Sequence, residues 1–285
     1  MKLLRKIFKY KNIILRQFFS KSKIKKFYNH SYTVYFDKKK NNLLSKLSNL
    51  HKTNKGYILD QTDPNALNIK SCHNYSDFYS DIFLLSKNHV KKVFELGIGS
   101  IKSNQDYNMI HQGTNYKTGG SLRMWREYFK NAEVIGSEYL SSSHIGGSYY
   151  DDIRHEDCEN LSFSDNSVDI IVSNEVFEHI PDPGKAFSEC NRVLKYGKRI
   201  YILEFSPKVN EIIEPFYEYY SNKIIPLIGK KVAANYDAYK YLVESIKNFP
   251  HNKELKNIFT KNGFFCYNHK IYFGGIAHLN IFSKI

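Results

Sequence analysis

The stretch Val93-Phe94-Glu95-Leu96-Gly97-Ile98-Gly99-Ser100 constrains this chain most: a short apolar run ending in an acid, followed by two glycines one residue apart. Such a run suits a parallel strand buried on both faces, and glycines past its C-terminal end let a ligand approach the backbone. Open α/β sheets bind their ligands at that edge. The loop therefore reads as the cradle of a nucleotide-type cofactor. Lys102 stands where the third glycine of the dinucleotide fingerprint belongs, which counts against a nicotinamide-dependent oxidoreductase.

A second strand follows at Val134-Ile135-Gly136-Ser137-Glu138. Between the two, Gly119-Gly120-Ser121 reads as a helix start, and Leu122, Trp125, Arg126 and Phe129 continue it at helical spacing. Two strands with a crossover helix form a βαβ unit. Glu138 ends the second strand, where a carboxylate can accept hydrogen bonds from both ribose hydroxyls of an adenosine cofactor; the other reading is a solvated strand-end acid. It lies nearly twice as far from the glycines as the usual spacing of about twenty residues, and the polar stretch 101–118 supplies the excess.

With 285 residues, 42% of them hydrophobic and 15% aromatic, the chain suits one large α/β domain with additions. Four scattered cysteines, with no Cys-x-x-Cys, indicate neither a disulfide framework nor a zinc site. A reducing, cytoplasmic setting follows. The formal charge of +14 is uneven, because the segment from Lys2 to Lys26 holds ten cations and no acid. Residues 1–28 interleave those cations with Leu3, Leu4, Ile7, Phe8, Ile14, Leu15, Phe18 and Phe19, a basic amphipathic helix pattern. A helix lying on the inner face of an anionic membrane fits it best. A helix docked on the domain and a transit peptide remain alternatives. Its apolar runs are too short for a spanning helix. No nucleic-acid partner is expected, since no recognition motif accompanies the charge. Residues 29–90 look like polar linker and cap, leaving 91–285 as the main domain.

From Asp157 onward the sequence becomes specific. Leu161-Ser162-Phe163, Asp165-Asn166-Ser167-Val168-Asp169 and the strand Ile170-Ile171-Val172-Ser173 resemble the middle of class I S-adenosylmethionine-dependent methyltransferases. Glu178-His179-Ile180-Pro181 and Arg192-Val193-Leu194-Lys195-Tyr196-Gly197 resemble the helix and turn before that family's fifth strand, although Tyr196 replaces the usual proline and Lys198 the second glycine. The C-terminal third, from Leu203-Glu204-Phe205-Ser206 through Ile213-Glu214-Pro215 and Asp237-Ala238-Tyr239 to Gly274-Gly275-Ile276-Ala277-His278, is similar to the ubiquinone/menaquinone biosynthesis C-methyltransferases. The front half differs: Leu122 to Phe129 and Ser137-Glu138-Tyr139-Leu140 look more like methyltransferases of sugars and surface glycans.

The resemblance implies a Rossmann-like α/β fold, with a seven-stranded, mostly parallel sheet, helices on both faces, an antiparallel last strand and a helical lid over residues 211–262. It implies S-adenosyl-L-methionine as cofactor, with Glu95, Gly97 and Gly99 along its methionine part, Glu138 on the ribose and Asp157 on the adenine amine. Cys158 would add a backbone N–H, and Asn174 and Glu175 would face the transferring methyl. His179 is a candidate general base, since a neutral imidazole accepts a proton near neutral pH; a structural role at a helix start is the blander reading. The acceptor is read as a small, membrane-associated, quinol-like ring. A sugar hydroxyl is the runner-up, and a non-catalytic membrane-surface module that keeps the fold is a third reading. The acids Asp151, Asp152, Glu156, Asp157 and Glu159 are read as a solvated strand and turn, so no metal is expected.

Overall fold

The computed structural model describes residues 42–53, 55–56, 75–99, 119–139, 153–211, 213–227 and 236–285. The basic segment 1–28 lies outside them. The described residues hold one seven-stranded sheet in the order β3-β2-β1-β4-β5-β7-β6. Its strands are β1 (Lys92–Leu96), β2 (Glu133–Glu138), β3 (Ile153–His155), β4 (Val168–Asn174), β5 (Leu194–Phe205), β6 (Phe264–Tyr272) and β7 (Ala277–Lys284). β3, β2, β1, β4 and β5 run parallel, and β7 is antiparallel to both β5 and β6. This is the expected sheet, antiparallel last strand included.

Alternation along the strands divides the core in two. Val93, Val134, Ile170, Val172 and Tyr201 point to one face, where they meet α1 (Leu43–Leu50), α2 (Tyr75–Phe83) and α3 (Gly120–Tyr128). Phe94, Ile135, Ile171, Ile200 and Phe282 point to the other, against α4 (Pro183–Val193) and α7 (Asn252–Lys261). β4 is buried at all seven positions, as a central strand covered on both faces must be. Between β5 and β6 the chain is helical, with α5 (Glu214–Tyr219), a π-turn (Tyr220–Ile224) and α6 (Tyr236–Asn248) ahead of α7.

The stretch read as polar linker and cap contributes α1 and α2 to this core. Leu44 and Leu47 of α1 are buried, as are Tyr75, Phe78, Tyr79 and Phe83 of α2, whose spacing of three and four puts them on one helical face. The Asn42 side chain caps α1 by accepting from the Ser45 N–H at 2.8 Å.

The Asp165 to Asp169 motif turns out to be a tie at the sheet's lower edge. Asp169 Oδ2 accepts from the N–H groups of Lys91 (2.9 Å) and Lys92 (3.0 Å), and Lys195 Nζ donates to Oδ1 at 3.1 Å. Burial alone would raise its pKa, but those donors hold the carboxyl below its usual range. Arg192 donates to Glu189, Asp165 and the carbonyls of Phe163 and Leu161. The turn expected before β5 is a bulge: the partner of β4 jumps from Leu194 to Arg199 between Val168 and Ile170, with Gly197 at φ 69°.

Candidate active site

The C-terminal ends of β3, β2, β1 and β4 lie side by side, and the sequence-predicted residues fall on them in that order. Asp157 follows β3, Glu138 ends β2, Gly97 and Gly99 follow β1, Asn174 ends β4 and Glu175 follows it. This is the edge at which open α/β sheets carry their ligands.

The loop after β1 needs its glycines. Gly97 and Gly99 have φ of 66° and 79°, and a Cβ on Gly97 would come within 2.5 Å of Val176 Cγ2. The β1 loop therefore packs directly on the residues past β4. Glu95 is 0% exposed, and neither carboxylate oxygen has a hydrogen-bond partner among the described residues. Its cation is Lys55, with Nζ 3.5 Å from Oε1. A buried carboxylate held by one ion pair retains acceptor capacity for a second cationic or N–H donor.

At the end of β4, Asn174 Oδ1 accepts from the Tyr79 hydroxyl at 2.8 Å, while Asn174 Nδ2 is buried without a hydrogen-bond partner among the described residues. Glu175 is left-handed at φ 57°, uncommon for a non-glycine residue, and its Oε1 accepts from the Tyr75 hydroxyl at 2.5 Å. Burial and then the Glu175 charge push the Tyr75 pKa well up, so this phenol stays a proton donor. Glu204 near the end of β5, 2% exposed, accepts from the N–H groups of Val176 (3.2 Å) and Phe177 (3.1 Å) and so fixes the turn that follows.

His179 closes a 3-10 turn (Phe177–His179) and stacks on Tyr241 of α6, with ring centroids 5.6 Å apart and planes 12° apart. The structure thus brings His179 to the helical segment.

At the other end of the edge, Glu138 is buried and its carbonyl accepts from the Glu156 N–H at 3.3 Å. Asp157 is exposed, with Oδ1 accepting from the Glu159 N–H at 2.8 Å. Its neighbour Glu156 is the buried acid, taking the Ser162 hydroxyl (2.5 Å) and N–H (2.8 Å). Burial pushes the Cys158 thiol up to about 12, so it is a neutral side chain there. Among the described residues, no group of three His, Cys, Asp or Glu is placed to hold a metal ion.

Tyr75, Tyr79, Lys55 and Glu204 are the residues that sequence reasoning missed. Tyr75 and Tyr79 are one helical turn apart, and the apolar spacing of Tyr75, Phe78, Tyr79 and Phe83 was the available signal for their helix.

Residues 145–284 match the ubiE/COQ5 methyltransferase family. The chain has a class I methyltransferase fold with a ubiE/COQ5-like C-terminal part. One relative is the ubiquinone/menaquinone biosynthesis C-methyltransferase UbiE of Ruegeria sp. (strain TM1040), 38% identical over 125 residues, which are 44% of this chain and 50% of that protein. Another is the demethylmenaquinone methyltransferase of Alkalihalophilus pseudofirmus, 29% identical over 163 residues, 55% of this chain and 66% of that one. The chain spans about half the length of the UbiE relatives it matches. A SAM-dependent methyltransferase from Archaeoglobus fulgidus superposes with a TM-score of 0.49 at 15% identity, covering 75% of this chain and 95% of that one. Within this methyltransferase fold, the matched part includes β3 to β7 and the residues after β4, while the glycine loop, Glu95, Glu138, Lys55, Tyr75 and Tyr79 lie outside it.

Proposed function

We propose that this protein is an S-adenosylmethionine-dependent methyltransferase acting on a small, quinol-like ring. The observation that carries the reading is the alignment of Asp157, Glu138, the Gly97–Gly99 loop and the Asn174-Glu175 pair, in sheet order, along one strand edge. The acceptor class is supported by the names of the relatives, one a ubiquinone/menaquinone biosynthesis C-methyltransferase and the other a demethylmenaquinone methyltransferase.

The residues present fit the cofactor. The Glu95 carboxylate, buried beside a glycine loop, suits an ammonium group, and Gly97 and Gly99 give that loop the left-handed backbone a tight cradle needs. Glu138 would take the ribose hydroxyls, Asp157 the adenine amine, and Cys158 would contribute its backbone N–H. Bound, S-adenosylmethionine supplies an activated methyl group on a sulfonium. The protein's task is then to hold acceptor and methyl in line and to exclude water. Glu175 is the proposed base for the proton that the acceptor loses, and His179 is held by its stack on Tyr241. Among the described residues no helix is long and apolar enough to cross a membrane. Residues 1–28 are proposed to bring the enzyme to an anionic inner-membrane surface, and deleting them should release it from anionic vesicles with cofactor affinity unchanged.

Calorimetric titration with S-adenosylhomocysteine, alongside NADH, tests the reading. Wild-type protein should bind the former alone, and Gly99→Arg and Asp157→Ala should each weaken binding tenfold or more. Undiminished binding in both variants would remove the proposed site. Labelled methyl donor then sorts demethylated quinols from sugar acceptors, and tight binding without product from either would leave a surface-binding module.

A further inference from the structure

The hydroxyls of Tyr75 and Tyr79 leave one face of α2 and reach two consecutive residues at the end of β4, Glu175 at 2.5 Å and Asn174 at 2.8 Å. Tyr79 is 0% exposed and set between Phe83 (centroids 5.5 Å) and Trp125 (5.6 Å), so α2 has little freedom to turn. Glu175 adopts a left-handed backbone that costs a non-glycine residue energy, and such strain persists where the surroundings over-determine it. Among the described residues, the contacts that hold it include the Tyr75 hydrogen bond on the side chain and the Glu175 N–H donating to the Leu203 carbonyl at 3.0 Å. A carboxylate is therefore held at the C-terminal end of β4, one residue before Val176, on which the β1 loop packs. Lys55 pairs with Glu95, and its Nζ lies 5.4 Å from the centre of the Tyr75 ring.

We propose that Glu175, held by the Tyr75 hydroxyl, reads the positive charge of the cofactor's sulfonium and makes the site prefer the charged methyl donor to its neutral product. The inference rests on the methyltransferase reading above. The donor and S-adenosylhomocysteine share their adenosine, ribose and amino-acid groups, so Asp157, Glu138 and Glu95 face what is common to both. They differ by one methyl and one positive charge, and a carboxylate near that charge acts on the difference alone. Tyr75 is a positioning residue here, because it acts through Glu175. The benefit is weaker competition by spent product against fresh donor for the site.

The test needs no acceptor. Calorimetry compares S-adenosylhomocysteine with sinefungin, which carries a protonated amine in place of the methyl-sulfonium. Wild-type protein should favour sinefungin. Glu175→Gln should reduce that preference about tenfold or more while leaving S-adenosylhomocysteine affinity within about twofold, and Tyr75→Phe should reduce it about threefold. Both substitutions are close in shape, and a general loss of structure would weaken both ligands together and leave their ratio unchanged. No wild-type preference, or an unchanged ratio in Glu175→Gln, overturns the inference while the cofactor reading stands. An unchanged ratio in Tyr75→Phe alone removes the tyrosine from it. If wild-type protein binds neither ligand, the methyltransferase reading fails and this inference falls with it.

Discussion

The two faces of the sheet are built from different material. One is a column of phenylalanines: Phe187, Phe259 and Phe282 stack in sequence, with centroids 4.0 Å and 3.7 Å apart, and Phe177 and Phe264 flank them. The other also has aromatic packing, with Phe83, Trp125 and Phe129 in mutual edge or tilted contact, but Tyr75 and Tyr79 carry hydroxyls through it to the strand edge. The first face belongs largely to the part of the chain that matches the ubiE/COQ5 family, with Phe94, Leu96 and Ile135 from outside it. The second is made largely by residues ahead of that match. A fold shared with many acceptors can thus keep one face as scaffold and use the other to specify a site.

If that division holds, equal packing losses should have unequal functional effects. Phe259→Ala and Phe83→Ala should each cost about 3–5 kcal/mol of unfolding free energy, since both remove a fully buried ring from a packed cluster. In material still folded, Phe259→Ala should leave S-adenosylhomocysteine affinity intact, whereas Phe83→Ala should weaken it by loosening α2. Denaturant unfolding with calorimetry on the same samples checks both. Equal affinity losses would mean that the faces do not differ in function.

Glu204 is where the faces communicate. Its carboxylate holds the N–H groups of Val176 and Phe177, and Val176 is the residue against which Gly97 packs. Glu204→Ala should cost about 1–3 kcal/mol, the penalty of leaving buried donors unmet, and should lower cofactor affinity as well. Tyr79→Phe comes next at about 1 kcal/mol, one buried hydrogen bond, with the ring packing kept.

The unequal legibility of the two faces has the same origin. β1, β2 and β4 were plain from apolar runs ended by glycine, acid or asparagine, and the strand edge then ordered the predicted site without further information. α2 was not, because its apolar face is tyrosine and phenylalanine among Ser76, Asp77, Ser80 and Asp81, and the stretch before it is polar. Even with the helix in hand, nothing in the spacing says that the Tyr75 hydroxyl meets a carboxylate a hundred residues later. The adjacent acids Glu156 and Asp157 show the same limit: composition cannot tell which is buried, and the Ser162 hydroxyl and N–H decided it. The bulge at Lys195 to Lys198 was legible only as an altered turn, since residues 194–205 also carry strand pairing on both sides of it.

The phenylalanine face also carries a pair of largely buried imidazoles, and their effect comes only on acidification. His269 and His278 lie 3.3 Å apart through Nε2 and Nδ1, and Asn252 at the start of α7 contacts His269 Nδ1 at 3.1 Å. Burial lowers His269 to about 3, helped by His278 and Lys256, and burial lowers His278 to about 4. Unfolded, each would titrate near 6.5. Between these values the unfolded chain binds protons that the native pair excludes, so stability rises with pH there. It should be fully present above about pH 6.5 and be lost on acidification toward pH 4, with a slope approaching about 1.4 kcal/mol per pH unit for each imidazole. His269→Asn together with His278→Gln should flatten the acid limb of the unfolding free energy between pH 6.5 and 4, with little change at pH 8. A double variant that keeps the wild-type slope would assign acid sensitivity to the carboxylates instead, and the tyrosine-bearing face, where Glu95 and the Tyr75-bonded Glu175 lie, would then be the one that fails first.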